Sequence, residues 1–324
     1  KEYIERIKEE KITELYPPQA EVIKKGLLKN NNLILSIPTA GGKTLIATIA
    51  MLHKLLEGKN KKVVYIAPLV ALAHEKYEYF KQFFGKNYKV AISIGDYDSS
   101  NSWLADYDVI CVTTEKLDSL LRHNVKWVED IGLIIVDEIH LLNDSSRGPT
   151  LEILLTKLRM ILPHAQMFGL SATINNAKQL SDWLDSELVK SDFRPVKLYE
   201  GVSYDSKIHF EDKTGYELNG SLEPENSIID NTLNMNKQIL VFTSTRKNAE
   251  SLAERLGRTV TKKLNVDGKS KLKKLSDEIE NVLDNPTHQC KRLSGCIKEG
   301  VAFHHAGLLG KQKSLIENNF RDGV

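Results

Sequence analysis

The fold is decided by Leu33-Ile34-Leu35-Ser36-Ile37-Pro38-Thr39-Ala40-Gly41-Gly42-Lys43-Thr44-Leu45-Ile46-Ala47-Thr48. The stretch opens on an apolar run of strand length, residues 33–37. It then crosses small, turn-forming residues. It continues in a segment whose Leu45, Ala47, Thr48, Met51, Leu52 and Leu55 recur at helical spacing. Strand, small-residue loop and helix in this order make a phosphate loop. Small residues let backbone N–H groups curl around a β-phosphate, and the new helix points its positive end at it. Thr39, Ala40, Gly41 and Gly42 supply the cradle, Lys43 reaches the β- and γ-phosphates, and the Thr44 hydroxyl is placed to ligate Mg²⁺. The strict pattern has Gly where Ile37 stands, so the tight turn falls on Thr39-Ala40-Gly41. An incidental Lys-Thr at a helix start is the bland alternative, and it loses weight as neighbouring signals accumulate.

Outward from this loop, residues 63–67, 90–94, 109–112, 133–136 and 167–170 are further short apolar runs, with a helical pattern over residues 69–84. Strands alternating with helices predict an α/β fold with a parallel sheet covered on both faces, whose ligands sit at the carboxyl ends of the strands. The rhythm weakens over residues 199–236, where Gly215, Asn219-Gly220 and Pro224 predict irregular connections with a short hairpin near residues 208–210. It restarts with a strand at 238–243, a helix at 246–256, a Lys-rich helical stripe at 262–283, a strand at 301–304 and a helix at 311–320. The expected domains are residues 1–200 and 201–324, in line with about 100–200 residues per domain.

Composition removes several classes of function. At 41% hydrophobic and 27% charged residues the chain has an ordinary globular balance, which excludes a disordered or collagen-like chain. Lys+Arg of 45 against Asp+Glu of 43 excludes a histone-like polycation and leaves room only for a local basic groove. Cys111, Cys290 and Cys296 are too few for a disulfide scaffold. Apolar runs stay strand-sized, so no membrane segment is expected and the compartment reads as cytoplasmic.

A second signal completes the first. Leu133-Ile134-Ile135-Val136 runs into Asp137-Glu138-Ile139-His140. A buried strand ending in two carboxylates suits a Walker B site, with Asp137 holding Mg²⁺ and Glu138 polarising the attacking water. Ser171-Ala172-Thr173 follows the later strand at 167–170.

Asp137-Glu138-Ile139-His140 resembles the DExH box of superfamily 2 helicases, and Ser171-Ala172-Thr173 resembles their motif III. Leu15-Tyr16-Pro17-Pro18-Gln19 resembles the Q motif, Ala67-Pro68-Leu69-Val70-Ala71-Leu72-Ala73 motif Ia, and Thr113-Thr114-Glu115-Lys116 motif Ib. Val70 stands where many relatives carry Arg, which removes one phosphate contact. Arg147-Gly148-Pro149-Thr150-Leu151-Glu152 and Val301-Ala302-Phe303-His304-His305-Ala306-Gly307-Leu308 are typical of the Ski2-like group. Within it the chain is similar to archaeal DNA helicases of the Holliday-junction-migration type. The resemblance covers essentially the whole chain.

The resemblance implies tandem RecA-like domains, with ATP and Mg²⁺ between them and movement 3′ to 5′ on single-stranded DNA that unwinds forked or branched substrates. It implies that Gln19 reads the adenine edge. His140, Ser171 and Thr173 would couple the nucleotide to the strand, and Pro68, Leu69, Thr113, Thr114, Thr243, Arg246, His304 and His305 would touch nucleic acid. The expected assembly is a monomer. An RNA helicase is the alternative within the enzyme class, and an ATP-binding nucleic-acid module without unwinding is the alternative outside it. The tandem His304-His305 invites a metal reading, but neighbours on a strand point to opposite faces and chelate poorly. His288, Cys290 and Cys296 lack any zinc spacing. The resemblance also implies a second domain interrupted before motifs V and VI. An arginine finger is worth about 10³–10⁵ in rate, so this chain is expected to bind ATP and turn it over weakly.

Overall fold

The computed structural model describes residues 12–58, 62–95, 101–123, 125–204, 206–218 and 224–324. The chain divides into two compact units between Leu198 and Tyr199. The expected turn at Asn219-Gly220 lies outside the described residues.

The first unit carries α1 (Pro17–Lys24), β1 (Leu33–Ser36), α2 (Lys43–Leu56), β2 (Lys62–Ala67), α3 (Val70–Phe84), β3 (Val90–Ser93), β4 (Val109–Thr113), α4 (Thr114–Arg122), β5 (Ile131–Val136), α5 (Gly148–Ile161), β6 (Gln166–Ser171), α6 (Ala177–Trp183) and β7 (Glu187–Lys190). Its seven strands run in the order β3-β4-β2-β5-β6-β1-β7, and each neighbouring pair is parallel. Side chains alternate between the faces of a strand. Leu33, Leu35, Val63, Tyr65, Leu133 and Ile135 therefore join one core with α2 and α3, while Ile34, Val64, Ile66, Ile134 and Val136 join another with α4 and α5. Both faces are dry, which is why these strands read as continuous apolar runs.

One buried amide ties the opposite edge of the sheet together. Gln166 at the start of β6 is 3% exposed, and its Nε2 donates to Leu27 O and Asn31 O, both at 2.8 Å.

The second unit begins with β8 (Gly201–Tyr204), β9 (Lys207–Phe210) and β10 (Gly215–Glu217), an antiparallel sheet in the order β10-β9-β8. The expected hairpin near residues 208–210 is thus part of a three-stranded sheet. Then come α7 (Pro224–Asn234), α8 (Arg246–Val260), α9 (Val266–Glu280), α10 (His288–Lys298) and α11 (Gly310–Arg321). Thr245, Asn265 and Thr287 cap α8, α9 and α10 by accepting from Asn248 N, Gly268 N and Cys290 N. Leu272, Leu275, Ile279, Leu293, Ile297 and Phe303 form the core of this unit. No helix among the described residues is long and apolar enough to cross a membrane.

Two expectations need correction here. Residues 238–243 and 301–304 were expected as strands, yet neither joins a ladder among the described residues. Leu240 and Phe242 are 67% and 88% exposed. An apolar run becomes a strand only when a neighbour takes its N–H and C=O groups. Residues 199–236, expected as irregular, hold a sheet and a helix.

Gln166→Leu leaves the buried Leu27 carbonyl, and the Asn31 carbonyl beside it, without their donor. Urea denaturation should show a loss of about 1–3 kcal/mol, and an unchanged midpoint would mean that water replaces the amide.

Candidate functional site

The candidate residues gather at the carboxyl edge of the parallel sheet. After β1, Gly41 N donates to Pro38 O at 3.2 Å and closes a tight turn. Ala40 and Gly42 both take left-handed backbone, with φ of 62° and 81°. Gly42 caps α2, and a Cβ there would collide with the Gln19 side-chain amide. Gln19 is 2% exposed; its Nε2 donates to Gly42 O at 3.0 Å and its Oε1 accepts from Tyr16 N at 2.8 Å. Gln19 therefore braces the loop backbone at the foot of α2.

The carboxylates are placed by the neighbouring strand. Asp137 N donates to Ile66 O at 2.9 Å, so the backbone stays bonded to β2 one residue past the end of β5. Asp137 Oδ1 accepts from Glu138 N at 3.0 Å, and Oδ2 accepts from Tyr65 Oη at 2.6 Å. Burial, together with the Asp137 charge, pushes the Tyr65 phenol well above its ordinary range, so it stays a neutral donor. Sequence reasoning missed Tyr65; its only signal is a hydroxyl-bearing residue in the apolar run of β2.

Glu138 adopts left-handed backbone at φ 48°. Its Oε2 lies 3.8 Å from Lys43 Nζ and 3.3 Å from His140 Nδ1. All three atoms are buried, and none has a hydrogen-bond partner among the described residues. Such orphaned groups call for an explanation. An ammonium, a carboxylate oxygen and an imidazole nitrogen converging beside a loop of small residues fit a phosphate, its metal and a water. Thr44 stands at the start of α2, and its Oγ1 accepts from Lys76 Nζ at 3.2 Å. Lys76 was also missed.

The other candidates divide. Ser171 ends β6 fully buried, with Oγ donating to Ala172 O at 2.8 Å; Ser36 Oγ donates to the same carbonyl at 3.0 Å. Thr173 is exposed. His140 lines a cavity of about 210 Å³ with Asn143, Ile174, Asn176 and Trp183, which joins the acidic box to the segment after β6. Leu69, the N-cap residue of α3, is accessible, and Pro68 before it is half-buried.

Thr113 and Thr114, expected to touch nucleic acid, are buried. They are 5% and 6% exposed, and Glu115 puts a negative charge in the first turn of α4, where a phosphate would approach. In the second unit Thr243 Oγ1 donates to Thr245 O at 3.2 Å, and Arg246 opens α8 exposed. His305 also departs from expectation. Its Nδ1 accepts from Gly307 N at 3.1 Å, so Nε2 carries the proton toward Glu250 Oε1 at 3.0 Å. With 8% of its side chain exposed, it is committed inward. His304 stays outside, 2.9 Å from Glu317.

The pattern of the DEAD/DEAH box helicase family matches residues 16–180, which fall within the first unit. A relative from Methanocella arvoryzae named ATP-dependent DNA helicase Hel308 is 44% identical over 318 residues, 97% of this chain and 42% of its own length. Relatives of the same name from Thermococcus kodakarensis and Pyrococcus horikoshii are 46% and 43% identical, over 98% and 99% of this chain. The match spans 27% and 43% of their lengths, so the chain covers less than half of the relatives it resembles.

Tyr65→Phe removes the donor to a buried carboxylate. Chemical denaturation should show a loss of about 1.5–3 kcal/mol, the range for a hydrogen bond to a charged group. Wild-type stability in Tyr65→Phe would show that the bond does not hold Asp137.

Proposed function

The chain belongs to the DEAD/DEAH box helicase family, and on that premise we propose that it serves ATP-dependent 3′–5′ DNA unwinding of the Ski2-like type, on forked or branched substrates. One observation carries the reading: Lys43 Nζ, Glu138 Oε2 and His140 Nδ1 converge, buried and without hydrogen-bond partners among the described residues, beside the small-residue loop. Lys43 binds the outer phosphates of ATP. Glu138, swung toward Lys43 by its left-handed backbone, orients the water that attacks the last phosphate. His140 meets the same carboxylate and faces the segment after β6, so a change at Glu138 reaches Ser171 and Thr173. Thr44 and Asp137 would hold Mg²⁺, which when bound neutralises charge building on the phosphates.

Leu69, Arg246 and His304 are the accessible nucleic-acid contacts, and the protein acts as a monomer. They meet the backbone rather than the bases, so affinity falls steeply with salt and shows little sequence preference.

Two substitutions separate binding from chemistry. Lys43→Ala should abolish ATP binding measured by equilibrium titration. Glu138→Gln should keep binding and lower turnover at least about 10²-fold, the lower bound for loss of a general base. Unchanged binding in Lys43→Ala would refute the site. A single-stranded RNA that stimulates hydrolysis as strongly as DNA of equal length would move the substrate assignment to RNA.

A further inference from the structure

Lys76 lies in the first half of α3, outside every motif of the sequence. Its side chain is only 13% exposed, an unusual place for a lysine. Nζ donates to Thr44 Oγ1 at 3.2 Å, and it also meets Glu75 Oε1 at 3.2 Å. Glu75 is about half exposed, at 49%, so water screens that second contact. Neighbouring elements place the ammonium further. Burial pushes the Cys111 thiol up, and the Lys76 charge works against that shift. Cys111 stands level with Tyr65 in the β2–β4 register, and Tyr65 holds Asp137. The ammonium therefore sits on the side of the sheet where Thr44 and the Asp137 support meet.

We propose that Lys76 competes with Mg²⁺ for the Thr44 hydroxyl, and so sets how much magnesium the nucleotide complex requires. The inference rests on the nucleotide reading of the site given above. Mg²⁺ binds oxygen at about 2.0–2.1 Å. With Nζ at 3.2 Å from the same oxygen, the two cations would stand no more than roughly 5 Å apart in a partly buried site. Two positive charges repel there, which favours Lys76 moving off the Thr44 hydroxyl when the metal binds. The lysine stem is flexible, and Glu75 offers a second berth toward solvent. Nζ meets both oxygens from one position, the inner seat; releasing Thr44 while keeping Glu75 would be the outer one. A cation that must first be displaced weakens apparent metal affinity by the fraction of molecules in which it holds the inner seat.

The test uses the full 324-residue chain with fluorescent N-methylanthraniloyl-ADP, titrated with MgCl₂ and read as the midpoint of the magnesium-dependent signal. Lys76→Met keeps the stem and removes the charge, and it should lower the midpoint about fivefold or more. Lys76→Arg keeps the charge and should stay near wild type. Circular dichroism melts check folding, and Lys76→Gln replaces the methionine variant if that one unfolds. A neutral variant whose midpoint stays within twofold of wild type overturns the inference. So does a neutral variant that needs more magnesium or binds nucleotide more weakly at saturating magnesium, because Lys76 then acts as a phosphate ligand. A wild-type chain that binds no nucleotide at any magnesium concentration overturns the nucleotide reading and this inference together, whereas wild-type binding that is independent of magnesium, or magnesium-dependent with an unshifted variant, overturns the inference alone.

Discussion

A sheet buried on both faces leaves polar chemistry one place to go, the ends of its strands. In the first unit β1, β2, β4, β5 and β6 are buried along their whole lengths. An unpaired charge within them would cost several kcal/mol. Lys43, Thr44, Asp137 and Ser171 all lie at the carboxyl edge for this reason. Tyr65 is the partial exception: its ring lies inside the core while its hydroxyl reaches Asp137. The ladder sets the carboxylate's position more firmly than any loop could, since Asp137 N is still bonded to β2.

The geometry of Glu138 follows from packing one residue later. Ile139 is fully buried, and it can press onto the sheet because position 169 carries no side chain. A Cβ at Gly169 would stand 3.0 Å from Ile139 Cδ1 and 3.3 Å from Ile34 Cγ1. With Asp137 fixed to β2 and Ile139 drawn down onto β6, the chain between them turns sharply. Glu138 takes left-handed backbone, at a cost of about 1–2 kcal/mol for a residue with a Cβ. Burying an isoleucine side chain returns about 1.5–3 kcal/mol, enough to hold the strained turn. The glutamate then faces Lys43 instead of solvent. A small residue in β6 thereby aims a catalytic candidate that follows β5.

The sequence made much of this edge legible. The strand–loop–helix at residues 33–56 and the strand ending in Asp137-Glu138 stand in the structure as local patterning predicts, because each rests on neighbours in the chain. What stayed hidden depends on partners far away in sequence. Tyr65 reads as one more apolar strand residue until Asp137 is beside it. Lys76 stands out only once its Nζ is seen on the Thr44 hydroxyl at the start of α2. The reverse errors have the same cause. Thr113 and Thr114 look like exposed hydroxyls in a motif, and His305 looks like a surface ring. Burial of the β4–α4 junction in one case and a carboxylate from α8 in the other take them inward.

The second unit shows how much a strand owes to its neighbours. Helices α8, α9 and α10 carry their own caps and apolar stripes, so each satisfies its backbone locally, and Leu275, Ile279 and Leu293 bury against one another. Residues 238–243 have the apolar character of a strand but no ladder among the described residues, and Leu240, Val241 and Phe242 stay exposed. A helix satisfies its backbone internally, whereas a strand must borrow donors and acceptors. The short antiparallel sheet at residues 201–217 escapes this limit because its strands lie next to one another in sequence and close on themselves. Local pairing forms where loop closure costs little entropy. A parallel ladder needs a crossover of a dozen or more residues, so an apolar run such as 238–243 becomes a strand only where partners distant in sequence come to it.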